Sequence, residues 1–328
     1  MRLKYIDALR GLAIFIVVYC HYIGFKMDLK FTSYMSSFLT SFFIPLFFFI
    51  SGFCVYKMHI PKNYFHKKII NLFIPTVIIL LLSTFIWNSN FLSIIQKPGT
   101  KGGYWFTYTL FQMTILYGAI KIIKIERFFK NLYIIEFIYI IYWLLICILY
   151  KLSFNTSIGN ILSSSMLFYN LPFFILGIYF KKYLSISNHI INSQYFLLII
   201  FIFSFINLFI NVHYIITYAS RVILMYTLFY KKQSWIQNNI IGKFLATLGE
   251  NSIEIYFLHY FLLFTPPMII KQYLNSIYTG NNYANEIMVS FVELTIMLPI
   301  ITYISYTCIY IKKIISNIPF ISKLMFGK

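Results

Sequence analysis

Apolar residues run along this chain in blocks of roughly 20, the length that crosses a bilayer as a helix, and the blocks stop at clusters of lysine, arginine and asparagine. The pattern predicts ten membrane-spanning helices, at 8–25, 34–56, 69–87, 104–120, 131–150, 161–180, 190–210, 213–230, 244–270 and 286–311. The fold class is therefore all-α, a polytopic transmembrane bundle, with residues 1–328 forming a single membrane domain. Neither a fixed-period repeat nor a Pro- or Gly-rich linker divides it.

Composition agrees with the pattern. With 60% hydrophobic and only 11% charged residues, the chain has too few polar groups to cover a water-facing surface. The basic residues add an orientation. The segments assigned to the outer side hold only Lys26, Lys30, Lys97, Lys101, Lys151 and Lys271, while Arg10 and Arg221 fall inside spans and all other lysines and arginines lie on the opposite side. That asymmetry predicts both termini in the cytoplasm. The net charge of +19 is spread over several short loops and not along one groove-filling element, which suits anionic lipid headgroups and argues against nucleic acid. The block after Arg10 resembles the apolar core of a signal peptide, yet runs on through Cys20 and His21 with no small-residue cleavage pattern, so an uncleaved first helix is expected. Cys20, Cys54, Cys147 and Cys308 have no metal or redox spacing and are assigned to packing, and no metal is expected.

Candidate chemistry lies in the polar residues that fall within spans, where each ionisable group costs at least ~2.5 kcal/mol to insert and so needs a partner, a cavity or a role. On the first helix, Arg10 and His21 are eleven residues apart. They share nearly one face, about 16 Å apart along the axis at 1.5 Å per residue. Asp7, one turn before Arg10, is placed to pair with the guanidinium and orient it. Arg2, Arg10, Arg127 and Arg221 are the only arginines among 27 basic residues, so a position that holds arginine against this bias can be reading phosphate or thioester oxygen with its bidentate fork. A snorkelling Arg10 and a His21 that caps the span are the simpler alternatives. Trp105, Thr109 and Gln112 recur at helical spacing and offer a sugar-stacking stripe, with an interfacial aromatic belt as the competing reading. Ser252, Tyr256 and His259 fall on one helical face, with Glu254 on another, and suggest a shared cavity. Arg221 and Glu293 are expected to form a structural ion pair. Pro45, Pro75 and Pro172 are expected to kink their helices.

The opening Ile6-Asp7-Ala8-Leu9-Arg10-Gly11-Leu12-Ala13, with ten residues between the arginine and His21, resembles the signature of the integral membrane acyltransferase family three, found in bacterial polysaccharide O-acetyltransferases. The Phe47–Phe53 run with Ser51-Gly52, the Trp105-Phe106 segment, Leu171-Pro172-Phe173-Phe174-Ile175-Leu176-Gly177 and the stretch from Asn251 to His259 follow in the family's order. The resemblance implies a bundle of about ten helices in the bacterial inner membrane, with Arg10 and His21 as catalytic residues. It also implies acetyl-CoA as acyl donor, a carbohydrate acceptor such as capsule or O-antigen, and association with polysaccharide synthesis machinery. Lys68 and Asn71 stand where many members carry an arginine pair, so Lys67 and Lys68 are left to meet acyl-CoA phosphates as point charges. Ile44-Pro45 replaces an acidic residue found in many members, and no carboxylate role carries over there.

Together these readings place acyl-CoA at the cytoplasmic mouth on Arg10, Lys67 and Lys68. His21 then serves either as general base or as a transient acyl carrier. Trp105, Gln112, Ser252, Tyr256 and His259 are the candidate acceptor contacts. The rival class is a transporter or exporter, since kinked helices and buried charges also line translocation paths.

Overall fold

The computed structural model describes residues 3–27, 34–97, 101–206, 210, 212–277 and 283–327. Arg2, Lys30 and Lys328, counted above in the charge pattern, lie outside these residues. Among the described residues every regular element is helical.

In chain order the main helices are α1 (Lys4–Tyr22), α2 (Tyr34–Val55), α3 (Tyr64–Ile86, with a π turn at Ile69–Phe73), α4 (Trp105–Ile122), α5 (Leu132–Leu152) and α6 (Ser164–Lys182). There follow α7 (Leu184–Asn192), α8 (Gln194–Phe205), α9 (Tyr214–Lys231), α10 (Ile240–Glu250), α11 (Ser252–Leu262) and α12 (Tyr283–Ser316). Among the described residues, six helices are long and apolar enough to cross a membrane, and up to seven if α7 and α8, bent by 87° at their junction, count as one span. Four of the ten expected spans therefore look different in three dimensions, the one expected at 190–210 because the chain bends at Ser193 between α7 and α8. The helices expected at 161–180 and 213–230 form as α6 and α9. Their apolar character is diluted by Ser164, Ser165, Asn170 and Pro172 in one and by Thr217, Ser220 and Arg221 in the other.

The span expected at 244–270 is a broken helix and not a continuous one. Asn239 caps α10 by accepting from the Ile241 amide (2.8 Å), and the helix stops at Asn251, whose side chain turns back to the Thr247 carbonyl (2.8 Å). Polar groups hold the break in place, with Glu250 accepting from Lys4 (2.8 Å) and Asn251 from Lys312 (3.1 Å). The backbone leaves helical geometry again at Leu263, ahead of Pro266 and Pro267. The sequence reading took this stretch for one span because its hydropathy runs on across a break that only side-chain bonds define.

The chain divides into two compact units, one made of residues 1–50 and 183–314 and the other of 51–182 and 315–328. In the first unit α1 is the central helix, and all but a few of its side chains are buried. Its tightest neighbour is α10, and the contact is made by glycines. A Cβ on Gly11 would overlap the Leu245 carbonyl, and one on Gly249 would overlap the carbonyl of Asp7. Lipid tails are as apolar as leucine, so helices in a bilayer gain little from burying apolar area against each other, and close backbone approach through small residues supplies much of the packing.

The second unit is tied by polar side chains between its helices. Tyr64 donates to the Thr114 carbonyl (3.0 Å), Thr76 to Thr107 (2.8 Å), and Tyr117 to the Lys57 carbonyl (3.0 Å). Lys182 pairs with Glu136, and Glu126 accepts from both Lys121 (2.6 Å) and Tyr139 (2.7 Å). Gly52 lets α2 approach the Phe174 carbonyl of α6. At the other side of the unit, the buried Lys101 donates to the carbonyls of Ile95, Lys97 and Asn160. Burial lowers its pKa from the usual 10.5 to about 8. Between these two values the folded protein has shed a proton that the unfolded chain still binds, so Lys101 makes stability rise with pH across that window. Melting curves in detergent at stepped pH should show this rise in the wild type, and it should be absent from Lys101→Met.

Candidate active site

His21 sits at the last turn of α1, just before a five-residue π turn at Ile23–Met27. Across from it α11 presents His259, which has no exposed surface. The Nδ1 of His259 points back along its own helix, 3.0 Å from the Ile255 carbonyl and 2.8 Å from that of Tyr256. Carbonyl oxygens only accept, so Nδ1 carries the proton and Nε2 is left as an acceptor. Nε2 lies 2.8 Å from His21 Nδ1, which must then be the donor. The consequence passes to the far nitrogen of His21. Its Nε2 holds a bare lone pair and accepts from the Tyr260 hydroxyl at 3.1 Å.

The rings support the same arrangement. The two imidazoles lie 7° from parallel with centroids 5.1 Å apart, and Tyr260 stacks on His21 at 4.8 Å. Phe25 closes the cluster, 5.7 Å from His21 and 6.0 Å from Tyr260, and is 62% exposed, so this edge of the site is open. A backbone-oriented histidine thus fixes the tautomer of a second one and leaves that one with an accepting Nε2.

The other candidates fall as follows. Ser252 and Tyr256 are buried on α11 with His259, but so are Glu254, expected on another face, and Ile255, Phe257 and Leu258; the Tyr256 ring stands 6.1 Å from His259. Tyr260 was missed. It is one residue past His259, about 100° round the helix, and no periodicity marks it. At the other end of α1, Asp7 is buried and holds Arg10 at 3.7 Å, with the guanidinium partly exposed. The expected Arg10–His21 stripe lies on one continuous helix.

In the second unit, Lys67 is exposed and Lys68 half-buried, its ammonium 5.4 Å from the Tyr64 ring centre. Asn71 places its side-chain amide beside the carbonyls of Gly327 (3.0 Å) and Lys67 (3.2 Å), a packing position and not a charged one. Trp105 opens α4, edge-on to Phe106 at 6.4 Å. Both ends of the Gln112 amide are taken, the nitrogen by the Leu162 carbonyl (2.9 Å) and the oxygen by the Tyr150 hydroxyl (3.0 Å).

The expected Arg221–Glu293 pair is not formed. Arg221 is bonded to Ser204 and Ser41, and Glu293 accepts from Tyr19. Each charged group is held by a neutral donor or acceptor brought in from another helix, which sequence spacing does not reveal.

Several helices long and apolar enough to span a bilayer, the first ending at a histidine pair, define a multi-pass membrane protein with a buried polar site. A family model described as an acyltransferase domain matches residues 3–310, and the chain belongs to that family, acyltransferase family 3. It is thus a membrane acyltransferase. No curated protein and no solved structure matches the chain.

Proposed function

We propose that this acyltransferase moves an acyl group, most often acetyl, from cytoplasmic acyl-CoA to a hydroxyl of a cell-surface polysaccharide or of its lipid-linked precursor. In this reading it works in a bacterial inner membrane as a single domain with ten passes and both termini inside, beside the polysaccharide synthesis machinery. The observation that carries the proposal is the ordered chain from the Ile255 and Tyr256 carbonyls through His259 to His21, which leaves His21 Nε2 as a base.

The Tyr260 hydroxyl marks where an acceptor oxygen would sit, 3.1 Å from that nitrogen. The acceptor displaces it, and His21 takes the hydroxyl proton as the oxygen attacks the thioester carbon. The tetrahedral intermediate then collapses with loss of the CoA thiolate, which receives the proton from His21. The Asp7–Arg10 pair, its carboxylate buried and its guanidinium partly exposed, suits the donor end, and Lys67 and Lys68 are the cations assigned to donor phosphates. Phe25, exposed beside His21, is the aromatic face suited to a sugar ring.

The test uses inverted membrane vesicles carrying the protein, with labelled acetyl-CoA outside and acceptor glycan supplied within. Label in the glycan that requires the intact chain and an accessible cytoplasmic face is expected. Absence of label with several acyl-CoAs, at confirmed protein levels, would sink the reading.

A further inference from the structure

Arg221 lies seven residues into α9, about 10 Å from its N-terminal end at 1.5 Å per residue, and is 8% exposed. Its Nε donates to the Ser204 carbonyl (2.9 Å), its Nη1 donates to the Ser41 hydroxyl, and the Phe38 ring lies against the guanidinium at 4.9 Å. These contacts use Nε, Nη1 and one face of the guanidinium. Nη2 has no hydrogen-bond partner among the described residues, and no carboxylate among them lies within ion-pair distance of the guanidinium.

A buried charge compensated only by neutral groups is costly, and a neutral side chain would hold Ser204 and Ser41 at less expense. A second unsatisfied group stands one turn away on the same face. Thr217 is fully buried, and its hydroxyl has no partner among the described residues. The surrounding groups are already used internally, Ser41 donating to the Phe38 carbonyl (2.6 Å) and Ser220 to the Thr217 carbonyl (2.8 Å). Phe38 is fixed in turn by stacking on Phe205 at 5.3 Å, which holds the fork in one orientation.

We propose that Arg221 and Thr217 form a binding site for an oxyanion, phosphate or carboxylate, carried by a substrate. Nη2 offers two N–H donors with no partner among the described residues, and the threonine hydroxyl adds a third donor. Assigning the anion to a substrate rests on the acyl-transfer reading. The existence of the anion site does not.

The experiment follows melting of the purified protein in detergent with inorganic pyrophosphate against chloride at equal ionic strength. The wild type should be stabilised by pyrophosphate, Thr217→Val less so, and Arg221→Gln not at all, with Arg221→Lys between. Equal stabilisation of all four proteins, or none in the wild type, overturns the proposal. Thr217→Val removes only a hydroxyl, so the test survives if Arg221→Gln fails to fold. Kinetics then identify the carrier. A KM for acetyl-CoA raised roughly 10- to 100-fold in Thr217→Val and Arg221→Gln, with S-acetyl-pantetheine unaffected, would put the donor diphosphate there and overturn the cytoplasmic donor site on Lys67 and Lys68. An equal rise in the KM of an acidic acceptor, with the donor unchanged, places the acceptor's anion there. Pyrophosphate binding that depends on Arg221, without acyl transfer from any donor, keeps the anion site and removes the acyl-transfer reading.

Discussion

His21→Ala should transfer acyl groups about 10²- to 10⁴-fold more slowly than wild type, the range that a positioned general base contributes. The KM for acetyl-CoA should change little, because in the proposed mechanism the imidazole meets the acceptor proton and not the donor's phosphates. His259 supplies the sharper version of this test. His259 holds the Nδ1 proton of His21 at 2.8 Å and, in the proposed mechanism, acts through His21 alone. His259→Phe keeps the ring volume and removes the acceptor, so the rate should fall by about one to two orders of magnitude as His21 samples both tautomers and loses an orienting bond worth about 1 kcal/mol or more. His259→Gln can offer its amide oxygen to the same proton and should restore part of the rate. A purely structural histidine would give the opposite ranking, with phenylalanine the better substitute in a buried site. Rates across the pH range for the four proteins, at matched expression, decide between them.

The second large effect is on folding. Gly11→Ala and Gly249→Ala each place a methyl group where the facing helix has a backbone carbonyl, of Leu245 in one case and Asp7 in the other. Carbonyls fixed in a helix have no rotamer by which to yield, so α1 and α10 must separate. Overpacking of this kind costs about 1–3 kcal/mol or more. Fluorescence-detected size-exclusion chromatography should show either variant as mostly aggregated, and the double variant no worse than additive, since the two methyls open the same interface. Near-wild-type melting of Gly249→Ala would show that the two helices can adjust without loss.

The sequence made the helical class, the membrane setting and the family readable because each is written in local terms: apolar block length, charge placement, and a motif within one helix. Arg10 with Asp7, and the Ser252–Tyr256–His259 face, were legible for the same reason, as helical spacing fixes which residues share a face. What escaped was everything decided between distant segments. That His259 would stand behind His21 depends on α1 meeting α11 across more than two hundred residues of chain. The partners of Arg221 come from α2 and α8, and a charge-matching argument chose Glu293 because opposite signs are the only pairing that a sequence displays. Gln112 looked free to hold a sugar because nothing in its neighbourhood announces Tyr150 or the Leu162 carbonyl. The break at Asn251 was hidden by continuous hydropathy. Gly11 and Gly249 stood in plain view without a reason, since a glycine's role in a crossing is set by the helix opposite.

The proton on His259 is fixed by main-chain oxygens at Ile255 and Tyr256, and every residue type carries such an oxygen. Side chains at those two positions can therefore drift without touching the tautomer, provided the helix persists. In many enzymes the residue that orients a histidine is a carboxylate, which one substitution can delete. Here that function has no codon of its own, and only a break in α11 or the loss of His259 itself would remove it.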